Sequence, residues 1–82
     1  MYKNKTPEGK NNLCGRKVRE FRRALPGSPS QRELADLLQI ANLDLDKNAV
    51  QRIESGQRFV TDIELKAIAG VLGVSYQQLL DE

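Results

Sequence analysis

The chain is 82 residues long, carries a formal net charge of +2, and contains no histidine and one cysteine, Cys14. This length allows one domain, and the composition excludes histidine-based acid–base chemistry, histidine-ligated metal and a disulfide framework. No apolar run approaches the roughly 18 residues of a membrane span, and the first residues lack an apolar signal segment. We therefore expect a cytoplasmic protein that has no catalytic residue, no metal site, no cofactor and no membrane partner.

Charge is distributed unevenly along the chain. Residues 1–32 carry nine Lys or Arg against two Glu, a balance of +7, whereas residues 33–82 carry four against nine acids, a balance of −5. This division favours a basic surface that faces a polyanion and an acidic surface that faces away from it. Charge alone leaves open the alternative of a solvated basic helix that has no partner.

The N-terminal third predicts an arm followed by a helix. Residues 1–12 contain no Leu, Ile, Val or Phe, and they are predicted to form a flexible basic arm ahead of a domain over 13–82. From residue 13 to about residue 25, Val18, Phe21 and Leu25 share one face of a helix at the spacing i, i+3, i+7. The Pro-Gly-Ser-Pro segment that follows ends this first helix.

Three capping boxes mark the starts of further helices. In such a box, a Ser or Thr precedes a Glu or Gln by three residues, and the two side chains satisfy backbone N–H groups of the first turn. The boxes are Ser30–Glu33, Thr61–Glu64 and Ser75–Gln78. They predict a second helix that ends near Ile40, a fourth helix that stops at Gly73, and a short fifth helix.

The third predicted helix, over 47–55, begins after the candidate N-cap Asp46 and stops at Gly56. On a helical wheel, Ala49, Val50 and Ile53 form an apolar face that opposes the polar face by roughly 180°. The polar face consists of two cations and two amides and contains no acid: Lys47, Asn48, Gln51 and Arg52. Such side chains recognise guanine and adenine edges in the major groove, so these four are the candidate base-reading residues. An ordinary amphipathic helix is the alternative.

The order of these pieces resembles the Cro/repressor-like helix-turn-helix regulators of phages and bacteria, known as the XRE family. The matching segments are 18–22, 30–35, 50–56, 64–75 and 79–80. The pair "Gln-x-x-Leu-Ala … Arg-Ile-Glu-x-Gly" is quite specific for this family. The resemblance implies an all-α fold, a compact five-helix bundle like the lambda-repressor DNA-binding domain.

The chain departs from the family pattern in its loops. Residues 26–30 make the first loop about two residues longer than usual, and the turn between the second and third helices is lengthened into a connector, 41–46. Either the second helix runs further, or the connector packs Leu43 and Leu45 against the core.

The resemblance also implies roles for individual residues. Arg22 and Glu54 are expected to form a structural ion pair, because Glu54 lies at the edge of the apolar face, where a half-buried charge needs a partner. Lys3, Lys5 and Lys10 either wrap DNA as an arm or belong to a soluble tail. Five residues near helix ends are candidate contacts to DNA phosphate. They are Ser30, Gln31, Ser55, Gln57 and Arg58.

These observations predict sequence-specific binding of double-stranded DNA and regulation of transcription, through repression, by a recognition helix at 47–55. The operator is either a palindrome bound by a homodimer or a single site. The fifth helix is the natural dimer surface unless Leu79 and Leu80 belong to the core. The rival function is a protein-interaction module on the same fold, an antitoxin-like or co-activator-like adapter that binds DNA weakly. The missing acid on the third helix favours DNA.

Overall fold

The computed structural model describes residues 9–80, and that range contains five helices and no strand. The helices are α1 (Gly15–Ala24), α2 (Gln31–Ile40), α3 (Lys47–Glu54), α4 (Asp62–Leu72) and α5 (Tyr76–Leu80). The predicted all-α bundle is confirmed. Each predicted boundary lies within two residues of the observed one, and the third helix ends at Glu54 rather than Ser55.

The predicted caps account for where four of the helices begin. The Ser30 hydroxyl accepts a hydrogen bond from the Glu33 N–H, and the Glu33 carboxylate accepts one from the Ser30 N–H. The other two boxes close in the same reciprocal way. A carboxylate oxygen of Asp46 accepts a hydrogen bond from the Ala49 N–H at 2.8 Å and so caps α3.

Helix α1 begins differently, because its N-cap residue Cys14 makes no side-chain cap bond. Instead, Oδ1 of Asn12 accepts a hydrogen bond from the Gly15 N–H at 2.8 Å. Gly15 lies so close to the C-terminal end of α3 that a β-carbon at this position would collide with the carbonyl oxygen of Ile53. Backbone contact thus joins the start of α1 to the end of α3.

One aliphatic core holds the helices together. Helix α3 packs against both α1 and α2, α4 packs against α1, α2 and α5, and α5 also packs against α1. The core residues are Cys14, Val18, Leu34, Ala35, Leu38, Leu45, Val50, Ile53, Ile68, Ala69, Leu72 and Leu79. Leu79 is therefore a core residue, whereas its neighbour Leu80 is 40% exposed.

The connector between α2 and α3 packs on the core, which decides between the two alternatives left open by the sequence. α2 ends at Ile40, and Asn42 then adopts a left-handed conformation with φ of 68°. The N–H of Leu43 donates to the carbonyl of Leu38 at 2.9 Å, and Leu45 is buried. The position of α3 relative to α2 is thus fixed by Leu45 in the core as well as by the turn.

The last two residues of the predicted arm contact the helical domain. Asn11 and Asn12, which the sequence assigned to a flexible arm, are hydrogen-bonded to the chain around the end of α3. Lys3 and Lys5 lie outside the described residues, so the part of the predicted arm that contains them stays a prediction.

Candidate nucleic-acid interface

The polar face of α3 is exposed to solvent along its whole length, while Val50 and Ile53 on the opposite face are each 1% exposed. The exposed side chains are the four predicted base-reading residues, Lys47, Asn48, Gln51 and Arg52. Because none of them is an acid, this face offers hydrogen-bond donors, acceptors and positive charge without repelling phosphate.

A buried ion pair lies beside this face and joins α1 to α3. Nε of Arg22 is 2.7 Å from Oε2 of Glu54, and Nη2 donates to Oε1 at 3.0 Å. The remaining terminal nitrogen donates to the carbonyl oxygen of Pro29 at 2.8 Å, just before α2. The hydrogen bonds with Glu54 raise the pKa of Arg22 above its ordinary value. The pair fixes α1, the start of α2 and the end of α3 relative to one another.

The two predicted phosphate contacts at the start of α2 already have partners within the protein. Ser30 forms the capping box with Glu33. The side-chain amide of Gln31 donates to Oε1 of Glu54 at 3.1 Å, so Gln31 extends the ion pair into a three-residue network. The sequence predicted the pairing of Arg22 with Glu54 but not this third member.

Arg58 is held within the protein by a second ion pair. Its Nη1 and Nη2 donate to the two carboxylate oxygens of Glu64 at 2.9 and 2.7 Å, and Nη1 also donates to the carbonyl of Phe59. These bonds lower the pKa of Glu64 and raise that of Arg58. The guanidinium charge is thus neutralised by Glu64, which makes Arg58 a support of the loop before α4 rather than a free cation at the surface.

The last two predicted phosphate contacts, Ser55 and Gln57, are exposed beyond the end of α3. The Ser55 hydroxyl and the Gln57 N–H both donate to the carbonyl of Arg52, at 3.2 and 2.8 Å. The Gln57 carbonyl in turn accepts from the side-chain amide of Asn11 at 2.8 Å. This end of the interface is therefore tied to the N-terminal segment.

Asn12 is a residue of the site that the sequence did not predict. Its side-chain amide donates to the carbonyls of Ile53 and Arg58 at 3.1 and 2.7 Å, while the N–H of Asn11 donates to the Gly56 carbonyl at 2.8 Å. The two asparagines together satisfy carbonyls at and after the C-terminal end of α3. The one sequence signal was a pair of amides directly ahead of a predicted helix, and this pattern does not reveal a partner over 40 residues away.

A helix-turn-helix family model matches residues 30–79. The chain belongs to the XRE-like family of helix-turn-helix DNA-binding transcription regulators. It is also similar to the crystal structure of the restriction-modification controller protein C.AhdI from Aeromonas hydrophila, with a TM-score of 0.66 and 32% sequence identity. That match covers 79% of this chain and 84% of the other. No curated protein matches the chain.

The matched residues include α2, α3, α4 and most of α5, and the family is one of regulators rather than enzymes. Across residues 9–80, no three acidic, cysteine or histidine side chains gather into a group that could hold a metal ion. In the same range, no helix has the length and hydropathy needed to cross a membrane.

Proposed function

We propose that this helix-turn-helix protein binds a specific sequence of double-stranded DNA by inserting α3 into the major groove, and that it represses transcription by occupying a promoter. The observation that carries this proposal is the exposed, acid-free face of α3. Asn48 and Arg52 are four residues apart, so their side chains point into the same stretch of groove. Both can form paired hydrogen bonds to one base, the geometry that carries sequence information.

Ser30, Gln31, Ser55 and Gln57 are proposed to position the duplex through its phosphates without specifying its sequence. Ser30 and Gln31 lie at the start of α2, and Ser55 and Gln57 lie beyond the end of α3; Gln31 and Ser55 border the same cleft. Arg58 is proposed to contribute indirectly, since a direct phosphate contact would have to compete with Glu64 for its guanidinium. Its loss should therefore weaken binding to all sequences alike.

A homodimer is proposed on an apolar recess of about 430 Å³ between α4 and α5. Ile63, Tyr76 and Leu80, which line it, are 74%, 49% and 40% exposed. Asp62 and Lys66 at its rim carry opposite charges, which a two-fold arrangement can pair. Such a dimer would read two half-sites about one helical turn, roughly 34 Å, apart.

The test is selection from random duplexes with the wild-type protein, followed by affinity measurements on the selected operator and on its single-base variants. Losing a paired base contact in Asn48→Ala or Arg52→Ala should cost about 1–3 kcal/mol and relax preference at one base position. Lys17→Ala is the matched control, because this cation lies on α1, outside the proposed base-reading face, and pairs with Glu20.

Three outcomes would contradict parts of the proposal. If the α3 variants weaken every duplex equally, α3 is not the reading element. If the selected sequences lack two-fold symmetry, the dimer is wrong. If the wild-type protein binds no duplex even at low salt, the chain is instead an adapter that recognises protein.

A further inference from the structure

Two polar clefts border α3, one near its C-terminal end and one near its start. The first, the α1–α3 cleft, has a volume of about 380 Å³. Arg19 and Arg23 of α1 form one wall and Gln51 and Ser55 the other, with the network of Arg22, Glu54 and Gln31 between them. The second cleft, of about 340 Å³, lies between α2 and the start of α3 and includes Arg32, Asp36, Asp46 and Lys47.

The two clefts differ in their balance of charge. In the second cleft, the two cations Arg32 and Lys47 are balanced by Asp36 and Asp46. In the α1–α3 cleft, Glu54 is the single acid among the lining residues, and its carboxylate is already paired with Arg22. Arg19 and Arg23 remain as an excess of two positive charges. A polyanion is therefore attracted to the α1–α3 cleft and not to the other.

The acid within the α1–α3 cleft does not oppose an anion, because its oxygens are occupied. Oε2 of Glu54 accepts from Nε of Arg22, and Oε1 accepts from both Arg22 and Gln31. By contrast, Arg19 and Arg23 are exposed, and neither forms an ion pair with any of residues 9–80. They are four residues apart on α1, so their β-carbons lie roughly 5–6 Å from each other on one side of the helix.

We propose that the α1–α3 cleft binds a phosphodiester of the DNA backbone, with the Arg19 and Arg23 guanidinium groups as the two cationic contacts. This inference rests on the proposed function, and it adds a third helix to the contact surface of the helix-turn-helix motif. Guanidinium groups suit this task, because their planar array of N–H donors matches two phosphate oxygens at once. Gln51 borders both the cleft and the base-reading face, so a phosphate held here sets the depth at which α3 enters the groove.

The experiment measures the affinity of the full chain for its selected duplex as a function of salt, for wild type, Arg19→Gln, Arg23→Gln, their double variant and Lys17→Gln. Each phosphate contact contributes about 0.9 to the slope of log K against log salt, which is about 3.5-fold in affinity between about 50 and 200 mM salt. The double variant Arg19→Gln/Arg23→Gln, which leaves the phosphate without a cation, should flatten the slope by about this amount, and each single substitution should flatten it by part of that amount. Lys17→Gln removes the same charge from another side of the same helix and should leave the slope unchanged.

Phosphate ethylation interference distinguishes a bound phosphate from long-range attraction. Ethylation of one or two particular phosphates should block DNA binding by the wild-type protein. The same modifications should no longer affect binding by the double variant Arg19→Gln/Arg23→Gln. Circular dichroism should show that these exposed substitutions leave the helices intact. The cleft proposal is overturned if wild type binds the duplex but the arginine variants show the same salt slope as Lys17→Gln and the same ethylation pattern as wild type. The proposed function would then still stand. If wild type binds no duplex at low salt, both fall.

Discussion

Removing the Glu54 carboxylate should strongly destabilise the protein, because it leaves a buried positive charge without its counter-ion. In Glu54→Ala, the guanidinium of Arg22 keeps its place between α1 and α3 but loses two of its three acceptors. The Arg22 and Glu54 side chains are 9% and 3% exposed, so little water can replace the carboxylate. Breaking such a buried pair costs about 3–5 kcal/mol.

The expected loss is large relative to the total stability of a domain of this length. At roughly 0.05–0.15 kcal/mol per residue, 82 residues correspond to about 4–12 kcal/mol of unfolding free energy. Glu54→Ala therefore removes a quarter of the stability at the least, and almost all of it if the wild type is near the lower bound. The variant Glu54→Gln, which keeps one oxygen acceptor for Arg22, should lose less than Glu54→Ala.

Urea unfolding followed by circular dichroism measures these losses. In a cycle of Glu54→Ala, Arg22→Met and the double variant, the double variant should be more stable than the sum of the single losses predicts, because it leaves no unpaired charge. Arg58→Ala is the control, since the Arg58 and Glu64 side chains are 30% and 13% exposed and their pair should contribute only about 1 kcal/mol. A loss below about 0.5 kcal/mol in Glu54→Ala would refute the reasoning that burial sets the magnitude.

Two further predictions concern backbone packing and pH. Gly15→Ala should destabilise the protein by about 1–3 kcal/mol, because the new methyl group meets the carbonyl of Ile53. Gly70 lies in α4, and a β-carbon there would have no neighbouring atom within 4 Å. Gly70→Ala should therefore stabilise the protein by about 0.5–1 kcal/mol in the same urea series. The hydrogen bonds from Arg58 lower the pKa of Glu64 from its ordinary value of 4.5, so this pair contributes its full stability above pH 4.5 and loses it as the pH falls through the lower folded-state pKa. The stability difference between wild type and Glu64→Gln should therefore shrink on acidification, and a constant difference would contradict the shift.

The sequence predicted those features whose partners are near in the chain. A capping box needs two side chains three residues apart, so Ser30 with Glu33 was sufficient to place the start of α2. The exposed face of α3 follows from helical periodicity alone once Asp46 is taken as the cap. The family resemblance added the pairing of Arg22 with Glu54, because its motifs carry both residues.

The sequence did not predict contacts that depend on how the chain turns between helices. Arg58 was expected to face DNA, but the loop before α4 brings its guanidinium onto Glu64. Asn12 was assigned to an arm because residues 1–12 contain no Leu, Ile, Val or Phe, yet its amide satisfies carbonyls at and after the end of α3. Polarity indicates that a segment is not part of the core, and it does not indicate whether a folded backbone elsewhere needs its donors.

The connector between α2 and α3 can change in length without moving α3. Leu43 and Leu45 hold the connector on the core, whereas residues 41 and 42 at its tip are exposed. Because closure entropy grows with the logarithm of loop length, by about 0.6 kcal/mol per doubling, residues added at this tip cost little. Insertions and deletions can therefore accumulate there over evolutionary time, and an epitope tag can be placed there, while the buried Leu45 keeps α3 in place against the core.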